Sequence, residues 1–205
     1  MRSSCHPRAS APPLTRIVRF CTGPMPRPVQ NVTHRCWSAP ARVAFVTQLI
    51  VDVESGAAAE RVAAQIWAEA TARRDGSEPR DAAQTLPGVR RRLELDGAAL
   101  LVARADGVPV GFAIVAPRTS SLEVFYLAVA PRAWGGGVGG VLLAAVDEQA
   151  KALGHSSLEL WVIADNDRAL TVYQRAGWTV TDDVQQTGPG DDATIERRVV
   201  RHLPD

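Results

Sequence analysis

Short apolar runs bounded by turn residues alternate in this chain with longer segments whose apolar residues recur every three or four positions. The short runs predict strands, and the longer segments predict amphipathic helices. Strands are predicted over 41–53, 98–104, 108–117, 122–130, 157–164, 178–184 and 193–200. Helices are predicted over 55–74, within 76–89 for a second and shorter one, over 138–154, and from Asp165 or Asn166 to Gly177.

Turn residues set the order in which these elements follow one another. The sequence Ala105-Asp106-Gly107 is a strong hairpin signal between two strands, and Gly154 ends a helix. The resulting order is strand, two helices, three strands, helix, strand, helix and a last hairpin. This order predicts an α/β (α+β) fold, in which a mixed central sheet of about seven strands carries helices on both faces.

The composition is typical of one folded domain with an apolar core. The 205 residues are 46% hydrophobic and 22% charged, with a formal net charge of +1. No apolar run reaches the roughly 18 residues of a membrane span, so no membrane partner is expected. Near neutrality also gives no electrostatic reason to expect nucleic acid as the main partner. We expect a cytoplasmic protein, and a homodimer is one option for its oligomeric state.

The first 40 residues differ in composition from the rest of the chain. No acidic residue precedes Asp52, whereas many prolines and all three cysteines do. We interpret 1–40 as an Arg/Pro-rich disordered extension, or as translation from a start codon upstream of the true one, and 41–205 as the folded domain. A transit peptide and a basic tether to an acidic surface are the alternatives. No metal is expected, because zinc-site spacing is absent from Cys5, His6, Cys21, His34 and Cys36.

Five glycines lie within 131–143, between a predicted strand and a predicted helix. Exposed N–H groups that lead into a helix N-terminus form a binding site for phosphate. Gly135, Gly137 and Gly140 match the dinucleotide pattern G-x-G-x-x-G, but residues 131–134 separate them from the strand and a meander of antiparallel strands precedes it, unlike a Rossmann unit. A P-loop is excluded because this loop has no lysine. An anion site of another kind is therefore predicted.

Two neighbouring motifs resemble those of the GCN5-related N-acetyltransferases (GNAT). They are LAVAPRAWGGGVGGVLL (127–143) and LELWVIADNDRALTVYQRAGW (158–178). In that family, R/Q-x-x-G-x-G/A follows a strand that ends in V-x-P, and a further strand leads to N-x-x-A and Y-x-x-x-G-F/W. The resemblance spans about 42–203. It implies the acyl-CoA N-acyltransferase (GNAT) fold and transfer of an acetyl group from acetyl-CoA to a primary amine.

The resemblance also implies a donor site. The N–H groups from Trp134 to Gly139 would hold the CoA pyrophosphate, and the backbone of Leu127 and Val129 would bond the pantetheine arm. Asn166 would contact that arm from the other side, and it is also a suitable helix N-cap. The family's usual Arg or Gln is replaced by Trp134, so we expect Trp134→Arg to tighten CoA binding modestly. The implied cofactor-binding residues are Leu127, Ala128, Val129, Trp134, Gly135, Gly136, Gly137, Val138, Gly139, Gly140, Asn166 and Tyr173.

Acetyl transfer to an amine needs a neutral amine and a proton for the departing sulfur. Freeing a lysine-like amine at pH 7 costs about 4–5 kcal/mol, which a positioned base helps to meet. We predict Glu123 as this base, because alternation places it on one strand face with Phe125, Leu127 and Val129, and because it aligns with a glutamate that some family members use. An arginine ion pair or solvent exposure is the alternative. Tyr173 is the predicted acid by family position, with a core tyrosine as the alternative.

The remaining residues favour direct attack in a ternary complex. No cysteine follows Cys36, and His155 and His202 are the only histidines of the predicted domain, so a covalent Cys or Ser–His route is excluded. A non-catalytic acyl-CoA-binding module is the alternative function. The acceptor is not identified. An acidic acceptor and solvated helix faces are both compatible with Arg73, Arg74, Arg90, Arg91 and Arg92.

Overall fold

A computed structural model of the protein describes residues 16–19, 48–188 and 193–204. The strands are β1 (Arg16–Arg19), β2 (Gln48–Glu54), β3 (Ala99–Ala105), β4 (Val108–Pro117), β5 (Leu122–Val129), β6 (Ser157–Ile163), β7 (Thr179–Thr187) and β8 (Thr194–His202). The helices are α1 (Ala57–Asp75), α2 (Ala82–Leu93), α3 (Val138–Ala152) and α4 (Asp167–Arg175), and a 3₁₀ turn spans Pro131–Ala133.

One mixed sheet holds these strands in the order β1-β2-β3-β4-β5-β6-β8-β7. Every neighbouring pair is antiparallel except β5 and β6, which α3 connects. Seven strands lie within 48–204, as predicted, and β1 is an additional edge strand whose Arg16 pairs with Val51. Four residues of the predicted extension thus belong to the sheet, and a domain that begins at residue 41 stays a prediction.

Alternating side chains of the central strands divide the apolar core between the two faces of the sheet. Leu101 and Val115 belong to the cluster that packs against α3 and α4. Leu100 and Phe112 belong to the cluster that packs against α1 and α2. Phe112 is fully buried, and burying a side chain of this size contributes about 1.5–3 kcal/mol. The predicted fold class, with helices on both faces, is confirmed.

Local signals account for most element boundaries. Asp106 and Gly107 have positive φ angles of 49° and 83° and form the predicted hairpin turn, whose Asp106 Oδ1 also accepts from the Gln48 N–H at 2.9 Å. The limits of α2, which the sequence left open, run from its cap Asp81 past an internal Pro87. None of the helices in the described part of the chain is long and apolar enough to cross a membrane.

A β-bulge in β5 shapes the centre of the sheet. Ile114 pairs with Tyr126 but Val115 pairs with Val124, so Phe125 has no partner on β4. From the bulge onward, β5 is also no longer paired with β6, because the parallel ladder ends at Val124 and Leu160. The segments 125–129 of β5 and 161–163 of β6 therefore separate, and we call the gap between them the fork.

Candidate active site

The fork exposes hydrogen-bonding groups of β5. The Ala130 N–H donates to Val110 O on β4 at 2.8 Å. Because N–H and C=O groups alternate in direction along a strand, those of Leu127 and Val129 point away from β4 and into the fork. The Trp134 indole confirms this direction, since its Nε1 donates to Val129 O at 2.7 Å. Ala128, the third residue predicted here, is buried on the opposite side and bonds toward β4.

The glycine turn, residues 134–137, follows this edge after the 3₁₀ turn and leads into α3. Gly135 and Gly137 have φ angles of 83° and 77°, which favour glycine, and Gly137 is the N-cap of α3. Two N–H groups are used within the turn: Trp134 donates to Pro131 O at 3.2 Å and Gly136 donates to Ala133 O at 3.2 Å. The N–H groups of Trp134 and Gly136 are therefore not available to an anion, and the predicted anion site includes fewer N–H groups than the whole loop has.

The other N–H groups of the loop have no acceptor among the described residues. They point outward at the positive end of the α3 dipole, where an anion is favoured. These groups belong to Gly135, Gly137, Val138, Gly139 and Gly140. Gly139 also permits a close approach, because a Cβ there would lie 3.3 Å from Val172 Cγ1 on α4.

Helix α4 carries the next two predicted residues. Asn166 caps the helix through Oδ1, which accepts from the Ala169 N–H at 3.2 Å, so its amide N–H groups stay available. Tyr173 is 7% exposed and packs in the α3/α4 cluster, with its ring centroid 6.0 Å from that of Trp178. Burial raises the pKa of Tyr173 to about 12, so the phenol stays protonated at neutral pH.

Glu123 lies on a different face from the one predicted. The bulge at Phe125 interrupts the alternation, so Leu127 and Val129 pack with the α3/α4 cluster whereas Glu123 points to the α1/α2 face. The expectation that these side chains share a face is wrong. Glu123 is 8% exposed and its Oε2 accepts from Arg118 Nε. Its Oε1 accepts no hydrogen bond from the part of the chain that the structure describes.

A second carboxylate, which the sequence did not identify, stands directly beside Glu123. Glu159 is its partner in the parallel ladder, and it accepts from Ser121 Oγ at 2.6 Å and from Arg198 at 2.7 and 2.9 Å. Burial acts to raise the pKa of Glu159, but the hydrogen bonds from Ser121 and Arg198 outweigh it and hold this pKa below its ordinary value. Glu159 thus has both oxygens occupied, unlike Glu123. This network could not be predicted from the sequence, because Ser121 and Arg198 lie 38 and 39 positions away from Glu159.

The arginines predicted at the ends of the first two helices have different contacts, and only some of them face the fork. Arg90 pairs with Glu60 at 2.9 Å and Arg74 with Asp75 at 2.6 Å, so these two serve the helix surfaces. Arg92 instead lies over the Phe125 ring, 4.7 Å from its centroid. An acidic acceptor stays a prediction, and Arg92 is the member of the set for which a contact with the bulge residue Phe125 is observed.

Two sequence expectations cannot be compared with the structure. The cysteines and the histidines at 6 and 34 lie outside the described residues. Within the described ranges, no three His, Cys, Asp or Glu side chains lie close enough together to hold a metal ion. The expectation that the protein has no metal stays a prediction.

Comparison with known proteins points to one family. A sequence model of the Acetyltransferase (GNAT) family matches residues 62–178. Mycothiol acetyltransferase of Clavibacter sepedonicus is 35% identical over 116 residues, which are 55% of this chain and 38% of that protein. A second mycothiol acetyltransferase, from Sanguibacter keddieii, is 32% identical over 138 residues and is covered to 43%. The chain thus spans less than half the length of these relatives.

Solved structures show the same fold. A GNAT-family structure from Desulfovibrio desulfuricans superposes with a TM-score of 0.60 at 19% identity, over 76% of this chain and 99% of that one. The yncA structure of Salmonella typhimurium, which contains its cofactor acetyl-CoA, superposes with a TM-score of 0.56 at 18% identity, over 77% and 95% of the two chains.

Proposed function

Because this chain belongs to the acetyltransferase (GNAT) family, we propose that it transfers an acetyl group from acetyl-CoA to a primary amine by direct attack in a ternary complex. The observation that carries the proposal is the fork. The end of β5, whose outer edge has no strand partner among the described residues, is followed after the 3₁₀ turn by a turn whose free N–H groups open α3. An extended ligand arm that ends in phosphate would hydrogen-bond to the β5 edge like an added strand and would place its phosphates at the N–H groups of the turn.

The residues around the fork fit the donor. When bound, acetyl-CoA would supply the acetyl thioester. The N–H groups of Gly135 and of residues 137–140 suit a diphosphate, and the open backbone of Leu127 and Val129 suits an amide-bearing arm. Val129 O already accepts from Trp134, but a carbonyl oxygen has a second lone pair. The amide of Asn166 can donate from α4.

Tyr173 would act at the departing sulfur by donating a hydrogen bond. With its pKa raised to about 12, the phenol keeps its proton at the working pH. Complete proton transfer to a sulfur whose thiol has a pKa near 8.5 would run uphill by about 5 kcal/mol. A hydrogen bond to the developing negative charge has no such cost. The structure therefore supports a narrower role than the predicted proton donor.

Glu123 would receive the acceptor amine on the other face of the sheet. Its free Oε1 can accept a proton directly or through a water molecule, whereas Arg118 holds Oε2 in place. Tyr173 belongs to the α3/α4 side and Glu123 to the α1/α2 side, so the two groups lie on opposite faces of the sheet. The Val129 N–H points into the fork and would meet the developing oxyanion there.

The test has two measurements. Calorimetry with CoA is expected to give one site per chain, and a panel of amines is expected to include at least one that releases free thiol from acetyl-CoA. Mycothiol-related amines belong in the panel, because the curated relatives carry that name. CoA binding with no thiol release from any amine would support the non-catalytic binding module. No CoA binding would overturn the proposal.

A further inference from the structure

The departure at Trp134 is compensated by a residue of α4. On the basis of the proposed donor site, we propose that Arg168, stacked on the Trp134 indole, supplies the side-chain cation for the CoA diphosphate. The Arg168 Cζ lies 3.8 Å from the centroid of the Trp134 ring. The attraction between a guanidinium and the face of an indole holds the Arg168 side chain over the ring. Neither the glycine motif nor the N-x-x-A motif identified this pair.

The indole is a fixed platform. Its Nε1 donates to Val129 O at 2.7 Å, which ties the ring to the last residue of the open β5 edge. The Trp134 backbone is held as well, since its N–H donates to Pro131 O. A guanidinium stacked on this ring is therefore held where the β5 edge meets the glycine turn.

The packing of α4 brings Arg168 to the same place. Arg168 and Val172 are four residues apart and share one face of the helix. Val172 Cγ1 lies 3.3 Å from the position that a Cβ on Gly139 would occupy, so this face of α4 meets the first turn of α3. The guanidinium consequently lies at the N-terminal ends of both helices, where the phosphate-binding N–H groups gather.

The charge of Arg168 is available to a ligand. Its side chain is exposed, and no carboxylate lies within 4.0 Å of it in the described ranges. A guanidinium can donate two parallel hydrogen bonds to one phosphate group. Arg175 provides a matched comparison, because it is also exposed and without an ion pair there, but lies about 10 Å further along α4.

This arrangement changes the expectation for Trp134→Arg. The substitution removes the platform and the Val129 hydrogen bond, and it places two guanidinium groups side by side. We now expect weaker CoA binding from Trp134→Arg, not tighter binding. Trp134→Phe keeps an aromatic face for Arg168 and loses only the indole N–H, so it should bind CoA better than Trp134→Arg does.

Calorimetry of Arg168→Ala with CoA and with dephospho-CoA tests the assignment. We expect both affinities to fall by roughly 10- to 100-fold, the range for a charge-assisted hydrogen bond. Arg175→Ala should change neither affinity more than about twofold, and denaturant titration should show Arg168→Ala fully folded, with only the small loss of stability expected from an exposed cation–π contact. Dephospho-CoA lacks the 3′-phosphate, so an effect on CoA alone would place the contact there and overturn the diphosphate assignment.

Two further results would count against the inference in distinguishable ways. If the wild type binds CoA and Arg168→Ala binds it equally well, the role of Arg168 is wrong and the proposed function stands. If the wild type binds no CoA, the proposed function and this inference fail together.

Discussion

The buried phenol of Tyr173 makes the stability of the fold depend on alkaline pH. Its pKa is raised to about 12, against a reference value near 10 in an unfolded chain. Between these values the unfolded chain has lost the proton and the folded chain has kept it. The stabilisation is therefore fully present below pH 10 and is lost as the pH rises toward 12. Two pKa units correspond to about 2.7 kcal/mol.

Denaturant titrations of the wild type and Tyr173→Phe measure this effect directly. The difference in free energy of unfolding between the two proteins should be constant from pH 8 to 9. It should then shift against the wild type by about 1.4 kcal/mol at pH 11, half of the full change. Tyr126→Phe removes the only other tyrosine, and this variant should still lose stability between pH 9 and 11 as the wild type does. Parallel curves for the wild type and Tyr173→Phe up to pH 11 would refute the argument from burial.

The same variant tests the catalytic proposal independently. The phenol has no described partner that phenylalanine would orphan, so the affinity for CoA should stay close to that of the wild type. Thiol release should slow by about 10²- to 10³-fold if the hydroxyl donates a hydrogen bond to the departing sulfur. A rate equal to that of the wild type would leave Tyr173 as a core residue only.

Other predictions concern the glycine turn and the paired carboxylates. Gly137→Ala should lower the free energy of unfolding by about 1–2 kcal/mol because φ is 77°, whereas Gly140→Ala, whose Cβ meets open space, should raise it by about 0.5–1 kcal/mol in denaturant titrations. Glu123→Gln should keep CoA affinity in calorimetry and lower the turnover rate by about 10²-fold or more; an unchanged rate would show that Glu123 is not the base. Because the pKa of Glu159 is lower in the folded protein than in the unfolded chain, this carboxylate stabilises the fold above its unfolded pKa, and the stabilisation is lost in acid. The free energy of unfolding of the wild type should therefore exceed that of Glu159→Gln by less and less as the pH falls from 6 to 3. A constant difference would contradict that reasoning.

Features that depend on neighbouring residues were predictable from the sequence. The turn at Asp106-Gly107 follows from the few residues that tolerate positive φ, and the cap at Asn166 follows from an amide oxygen placed before a helix. The glycine turn is local as well, although the internal use of the Trp134 and Gly136 N–H groups required coordinates. These features were found because each side chain acts on backbone within about four positions of itself.

The site features that failed to appear in the sequence depend on distant partners. Arg198 reaches Glu159 across 39 positions, and Arg168 reaches Trp134 across two elements. An exposed arginine at the start of a helix is ordinary by itself. Its contact with Trp134 depends on the packing between α3 and α4, which places the guanidinium over an indole that the turn holds in position.

The bulge at Phe125 shows why the face of the sheet on which Glu123 lies could not be predicted from the sequence. Residues 122–130 are apolar on both faces apart from Glu123, so no alternation of polar and apolar positions could reveal an inserted residue. The bulge turns Glu123 and Leu127 to opposite faces, and the paired ladder with β6 ends beside it. A regular β5 would keep Glu123, Leu127 and Val129 on one face of the sheet, as the alternation predicted. An inserted residue of this kind can be located only from the pairing of β5 with β4 and β6, and that pairing is not contained in the local sequence pattern.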